Sequence, residues 1–201
     1  MELNDTDVKT RILLSAKRLF AKQGYEGTSV RQICEEANAN IALVSYHFGG
    51  KEKVFEAIFE QFYPGSEEAF NQYEDELKSP VEGLTLIVRE IVAFTINDKE
   101  LSDIIQQELT LQSPRMETVQ ASLSPVWFKV KELLERGKEE GVFHFDSLTV
   151  AFLTVMGVTL SHKRFRSVNV WLKDHDGFIP DSYPDQAARF VLQGLGVKLN
   201  S

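Results

Sequence analysis

Three features of the 201-residue sequence predict an all-α fold of about nine helices, with an N-terminal three-helix unit ahead of a larger helical domain. Apolar residues recur at three- and four-residue spacing through most of the chain. No period-2 alternation runs long enough to build a sheet. Asn, Asp, Ser, Thr, Gly and Pro fall at the intervals where helices start and stop.

Helix one is expected over 7–23, where Ile12, Leu13, Ala16, Leu19 and Phe20 make one apolar stripe and Gly24 ends the run. Thr28 is the expected N-cap of a short second helix with Val30, Ile33, Cys34 and Ala37 on its inner face. Asn40 caps a third, Ile41 to Phe48, anchored by Ile41, Val44 and Phe48. Gly49-Gly50 stops it, and a fourth begins near Lys51 and runs through VFEAIFEQFY. Ser79-Pro80 opens a helix to about Asn97, and Asp98 caps another to about Gln112. Ser113-Pro114 starts the next, with an interruption expected at Ser124-Pro125 before it ends at Gly141. Asp146 is the expected cap of the apolar helix LTVAFLTVMGVTL. SVNVWLKDHDGFIPDSYP is the least regular stretch, and a last helix covers Pro184 to Leu195. The expected domains are 1–53 and 54–201.

The net charge of −8 alone argues against a nucleic-acid partner, because phosphates need Lys and Arg. Its distribution reverses that reading. Residues 1–53 carry eight Lys and Arg against seven Asp and Glu, whereas 54–201 carry fourteen against twenty-three. No apolar run is long enough for a bilayer, MELNDTDVKT does not resemble a signal peptide, and a single cysteine, Cys34, fits a reducing compartment. A cytoplasmic protein with no membrane partner is expected. No metal motif, phosphate loop, nucleophile elbow or paired carboxylates point to an enzyme, a metal or a cofactor.

Two short helices joined by about four residues make a helix-turn-helix pattern, whose second helix enters the major groove. Ile41, Val44 and Phe48 would anchor that helix, leaving Ala42, Leu43, Ser45, Tyr46 and His47 to meet DNA. Tyr46 and His47 can donate to phosphate oxygens without formal charge. Lys51 and Thr28 stand at helix N-termini, where open backbone N–H groups favour an anion. The plainer alternatives are a packing histidine for His47 and a solvated lysine for Lys51.

Residues 9–55 resemble the DNA-binding domain of the tetracycline-repressor (TetR) family of bacterial transcription regulators. The likeness runs through RILLSAKRLFAKQGYEGTSVRQICEEANANIALVSYHFGGKEKVF, notably AKRLFAKQGYEGTSVRQI and YHFGGKEKVF. It departs at Ser45, usually aromatic or Asn in the family, and at Gly50, commonly Ser or another residue. The resemblance implies phosphate contacts from Thr28, Tyr46, His47 and Lys51 and base reading around Ala42, Leu43 and Ser45; Ser29 and Arg31, at the start of the second helix, are the remaining DNA-binding candidates. It also implies a homodimer through the last two long helices, a double-stranded DNA operator, and a C-terminal pocket for a small effector.

Apolar segments rich in aromatics favour a hydrophobic effector. Candidate lining residues are Phe94, Trp127, Phe128, Phe152, Met156 and Phe165, with Gln106, Gln107, Thr110 and His162 as polar handles. Ordinary core packing is the alternative for each aromatic. The basic SHKRFR run, with Lys163, Arg164 and Arg166, would suit an acidic end. The expected function is that of a dimeric repressor released by such an effector. The competing classes are a ligand-independent DNA-binding protein of chromosome organisation and a helical protein–protein adaptor.

Overall fold

The computed structural model describes the backbone of residues 5–164 and 179–198 and the side chains of 7–163 and 179–198. Among the described residues the fold is all-helical, with no strand. The helices are α1 (Asp5–Gln23), α2 (Val30–Ala37), α3 (Ile41–His47), α4 (Lys51–Phe62), α5 (Glu67–Phe70), α6 (Glu74–Lys78), α7 (Pro80–Asn97), α8 (Lys99–Leu111), α9 (Met116–Glu139), α10 (Leu148–Arg164) and α11 (Tyr183–Gly194). Two of these are single turns, α5 and α6, linked by a 3-10 turn; nine others have seven residues or more.

The chain forms two compact units, Met1–Gly65 with Asp98–Leu123, and Ser66–Asn97 with Ser124–Ser201. The expected boundary between 53 and 54 falls inside α4, whose Val54, Phe55, Ile58 and Phe59 are buried. In the first unit the apolar stripe of α1 meets α2, α4 and α8: Ile12, Phe20, Ile33, Val44, Phe55, Ile58, Leu101 and Ile104 are all sealed from solvent. The recruitment of α8 into this unit has no local signal in the sequence.

The second unit is built on α7, α9, α10 and α11. Leu84, Val88, Val92, Val130, Leu133, Leu134, Val155, Val191 and Leu192 fill its core. Gly137 is required on α9, because a Cβ there would stand 2.1 Å from the buried Phe143 ring.

Three local expectations are corrected. Ser29, not Thr28, caps α2: its hydroxyl accepts from Gln32 N, and the Gln32 side chain accepts from Ser29 N in return. Ser147, not Asp146, accepts from the Val150 amide at the start of α10. Helix α9 runs through Pro125 without interruption.

Candidate nucleic-acid interface

The turn between α2 and α3 is fixed by two caps. Asn38 adopts the left-handed conformation at φ 49°, and its N–H reaches the carbonyls at the end of α2. The Asn40 side chain then accepts from Ala42 N at 2.9 Å. Val44 seals α3 onto the core at 0% exposure. Helical periodicity therefore turns Ala42, Ser45 and Tyr46 outward, and Tyr46 is 77% exposed. Leu43 and His47 are half-buried, with the His47 ring against Tyr46 at 5.0 Å and Phe48 at 6.2 Å.

Ile41 departs from its expected role. Expected on the anchoring face, it is 52% exposed and shares the outward face with Ser45, one turn on. Val44 alone supplies the buried contact, because a seven-residue helix presents only one full position to the core.

After α3 the Gly49-Gly50 break is realised. Gly49 has φ +85° and Gly50 φ +147°, conformations open to glycine. Gly50 has no side chain with which to cap α4, so that helix begins without a side-chain acceptor on its first amides.

The two residues expected at helix N-termini are committed inward. Thr28 is 2% exposed, and its hydroxyl donates to the Gly24 carbonyl at 2.8 Å while accepting from Gln23 at 3.3 Å. Lys51 Nζ donates to the carbonyls of Tyr25 and Thr28, each at 2.9 Å, and stands 3.9 Å over the Tyr25 ring. Its ammonium pins α4 to the turn before α2. Ser29 and Arg31 are exposed, with Arg31 paired to Glu35 at 2.8 Å. Sequence reasoning missed Lys9, an exposed cation on α1 that lies 5.7 Å over the Phe48 ring at the end of α3. Only the fold brings α1 to that point, so the sequence carried no signal for it.

The ligand candidates separate. Gln106, Gln107 and Thr110 lie on α8 in the first unit, where Gln107 donates to the Ala21 carbonyl at 2.8 Å and Thr110 to the Gln106 carbonyl at 2.7 Å. Phe94, Trp127, Phe152, Met156 and His162 lie in the second unit and are half-buried; Phe128 is 69% exposed. Phe165 and Arg166, and the side chain of Arg164, are outside the described residues.

Two short helices with a capped turn, the second presenting small and hydrogen-bonding side chains from a buried anchor, define a helix-turn-helix DNA-binding protein. Residues 12–58 match the model of bacterial regulatory proteins, tetR family. The chain is 30% identical over 144 residues, 71% of its length and 68% of the other, to the probable HTH-type transcriptional regulator YttP of Bacillus subtilis strain 168. It is 28% identical to the HTH-type transcriptional repressor NicS of Pseudomonas putida, across 73% of this chain and 71% of that one. The crystal structure of HlyIIR, a hemolysin II transcriptional regulator, superposes with a TM-score of 0.76 over 97% of this chain and 100% of that one at 24% identity, a likeness of fold. The chain belongs to the tetR family of bacterial regulatory proteins. It is a DNA-binding transcriptional regulator, and none of its described helices is long and apolar enough to cross a membrane.

Proposed function

We propose that this regulator is a homodimeric repressor whose α3 face reads an operator half-site and whose second unit dimerises and binds a small hydrophobic effector. The observation that carries the DNA reading is the outward row Ile41, Ala42, Ser45 and Tyr46 on a helix held by Val44. Ala42 and Ser45 are short enough to let the helix backbone approach base edges, and Ile41 offers an apolar contact to a thymine methyl. Tyr46 and His47 donate to phosphates, and Ser29, Arg31 and Lys9 flank them. The α4 N-terminus, uncapped by any side chain, adds backbone donors for a phosphate.

Dimerisation is supported by the outer face of α10 and α11. Val150, Leu153 and Phe190 are 62%, 63% and 64% exposed, around a groove of about 350 Å³ lined by Val150, Thr154, Val158, Phe190 and Gly194. So much apolar surface on two adjacent helices is the mark of a covered face. Two heads then meet half-sites about 34–36 Å apart or a multiple of that.

The repressor reading is supported by the relatives named repressors. The structurally similar FadR of Bacillus subtilis, with TM-score 0.70 and 16% identity, was crystallised with stearoyl-CoA. In this chain Phe94, Trp127, Phe152 and Met156 would line the apolar part of the effector site, and His162, bonded to Thr95 at 3.0 Å, would supply a polar handle. Gln106, Gln107 and Thr110 are engaged within α8 and against α1 and drop out of that set.

Selection of bound sites from random DNA, followed by sedimentation of wild type and Leu153→Glu/Phe190→Glu, tests the reading. The expected outcome is a two-fold symmetric site, a wild-type dimer, and a variant that is monomeric and no longer protects the site. A wild-type monomer at micromolar concentration, or no enriched site, overturns it.

A further inference from the structure

The turn between α8 and α9 carries a side chain that sequence reasoning gave no role. Arg115 is 9% exposed at its side chain, although it lies on a loop. Its guanidinium pairs with Glu108 at 3.2 Å and Glu26 at 2.9 Å. Glu108 is itself buried, at 3% side-chain exposure, and also accepts from the Ser113 hydroxyl. Ser113 in turn accepts from the Arg115 amide at 3.1 Å. The guanidinium stands 3.8 Å over the Tyr25 ring. Lys51, at 3.9 Å, stands over the same ring and holds the carbonyls of Tyr25 and Thr28. One residue from α8–α9 thus bears on the ring that also seats the α4 lysine and the turn leading into α2.

We propose that Arg115 is a positioning residue for DNA binding: it fixes Tyr25, and through Tyr25 and Lys51 the α1–α2 turn and the start of α4, in the arrangement that meets the operator. The proposal rests on the DNA interface described above. A planar guanidinium is suited to the task because it can lie flat on an aromatic ring while its edge pairs with carboxylates. The Arg115 side chain is 9% exposed and engaged by Glu26, Glu108 and the Tyr25 ring, so its influence is on geometry.

The test compares two variants with wild type on a duplex selected by the protein. Glu108→Gln/Arg115→Met removes the buried pair together and leaves no unpaired buried charge. Arg115→Lys keeps the charge and loses the flat stack and the fork. Couplings of this kind span about 5–150-fold, so about 10-fold weaker binding is expected for the double variant, with Arg115→Lys between it and wild type. The salt slope should stay at the wild-type value, because no phosphate partner is lost. Amide hydrogen exchange over residues 28–33 should quicken in the same order, measured well below the melting transition. If the double variant does not fold, Arg115→Lys carries the comparison alone.

Wild-type affinity in a folded variant overturns the proposal and leaves Arg115 a stabilising residue only. A slope lower by about 1 in the double variant also overturns it, because Arg115 then contacts phosphate itself. Tyr46→Ala, measured in parallel, separates the two levels. Unchanged binding there refutes the α3 interface, whereas the Arg115 comparison reads DNA affinity as such.

Discussion

Helix α3 and helix α8 use the same kinds of side chain for opposite ends. On α3, Ser45 and Tyr46 point into solvent with Val44 as their only deep anchor. Around α8 the polar groups turn inward. Lys17 of α1, 7% exposed, pairs with Asp98 at 2.8 Å, and Asp98 also caps α8 by accepting from Leu101 N. Gln107 reaches the Ala21 carbonyl, and Arg115 reaches Glu26 and Glu108. A polar side chain recognises a partner when water is its present neighbour, and holds a fold together when its neighbours are already protein. Lys51 and Gln107, candidates for recognition by sequence, both donate to backbone carbonyls of their own unit.

The sharpest contrast is between Arg115→Leu and Tyr46→Ala. Arg115→Leu strands Glu108 as a buried charge, so chemical denaturation should show a loss of about 3–5 kcal/mol. Tyr46→Ala removes an exposed ring, so stability should stay within about 0.5 kcal/mol. Its operator affinity should nevertheless fall about tenfold or more, the size of one lost hydrogen bond at an interface. Equal stability losses in the two variants would erase the distinction between the helices.

Lys51→Met asks on which side of the distinction that lysine falls. Removing it leaves the Tyr25 and Thr28 carbonyls short of a donor, at a cost of about 1–3 kcal/mol in stability. The salt dependence of DNA binding should not change. A slope reduced by about 1 would mean that the ammonium leaves the carbonyls for a phosphate in the complex.

Alkaline titration probes the inward cluster without mutation. Burial pushes the Tyr25 phenol above its ordinary value of 10.0, while Arg115 pulls it back and Glu52, Glu26 and Glu108 push it further up. Burial likewise raises Tyr63. The folded protein therefore keeps protons that the unfolded chain gives up near pH 10. Stability from this source is complete below pH 10 and is lost as pH rises through the folded-state values. Denaturant midpoints measured from pH 9 upward should fall, and Tyr25→Phe should flatten part of that fall. A midpoint that is flat past pH 10 would contradict it.

What the sequence made legible follows the range of the interactions. Periodicity and caps within a few residues located α1 to α4, the Gly-Gly break and the outward positions Ala42, Ser45 and Tyr46. Thr28 and Ser29 were exchanged as caps because both carry a hydroxyl; the Gln32 side chain, which closes the box with Ser29, was the usable signal. Ile41 is exposed against expectation because i, i+3 spacing does not say how much core a seven-residue helix meets. The inward roles of Lys17, Lys51, Gln107 and Arg115 depend on partners 81, 26, 86 and 89 residues away, which no local pattern encodes.

The smallest expected effect is at Ile41, and it tests the outward face at the level of one methyl group. Ile41 is 52% exposed on α3, and in the proposed groove-reading arrangement its one specific base partner is the C5-methyl of thymine. Replacing thymidine by deoxyuridine at one position of the selected site removes that methyl and nothing else. Burial of one methyl-sized group is worth about 0.8 kcal/mol, or about fourfold in Kd. One thymine per half-site should therefore show a loss of that size with wild-type protein. With Ile41→Ala the same replacement should cost nothing, while replacements at other positions keep their wild-type effects. The non-additivity is the diagnostic, since a general weakening by Ile41→Ala would leave every replacement effect unchanged. If no thymine in the site loses its methyl dependence in Ile41→Ala, the isoleucine lies outside the groove. The reading face then contracts to Ala42, Ser45 and Tyr46.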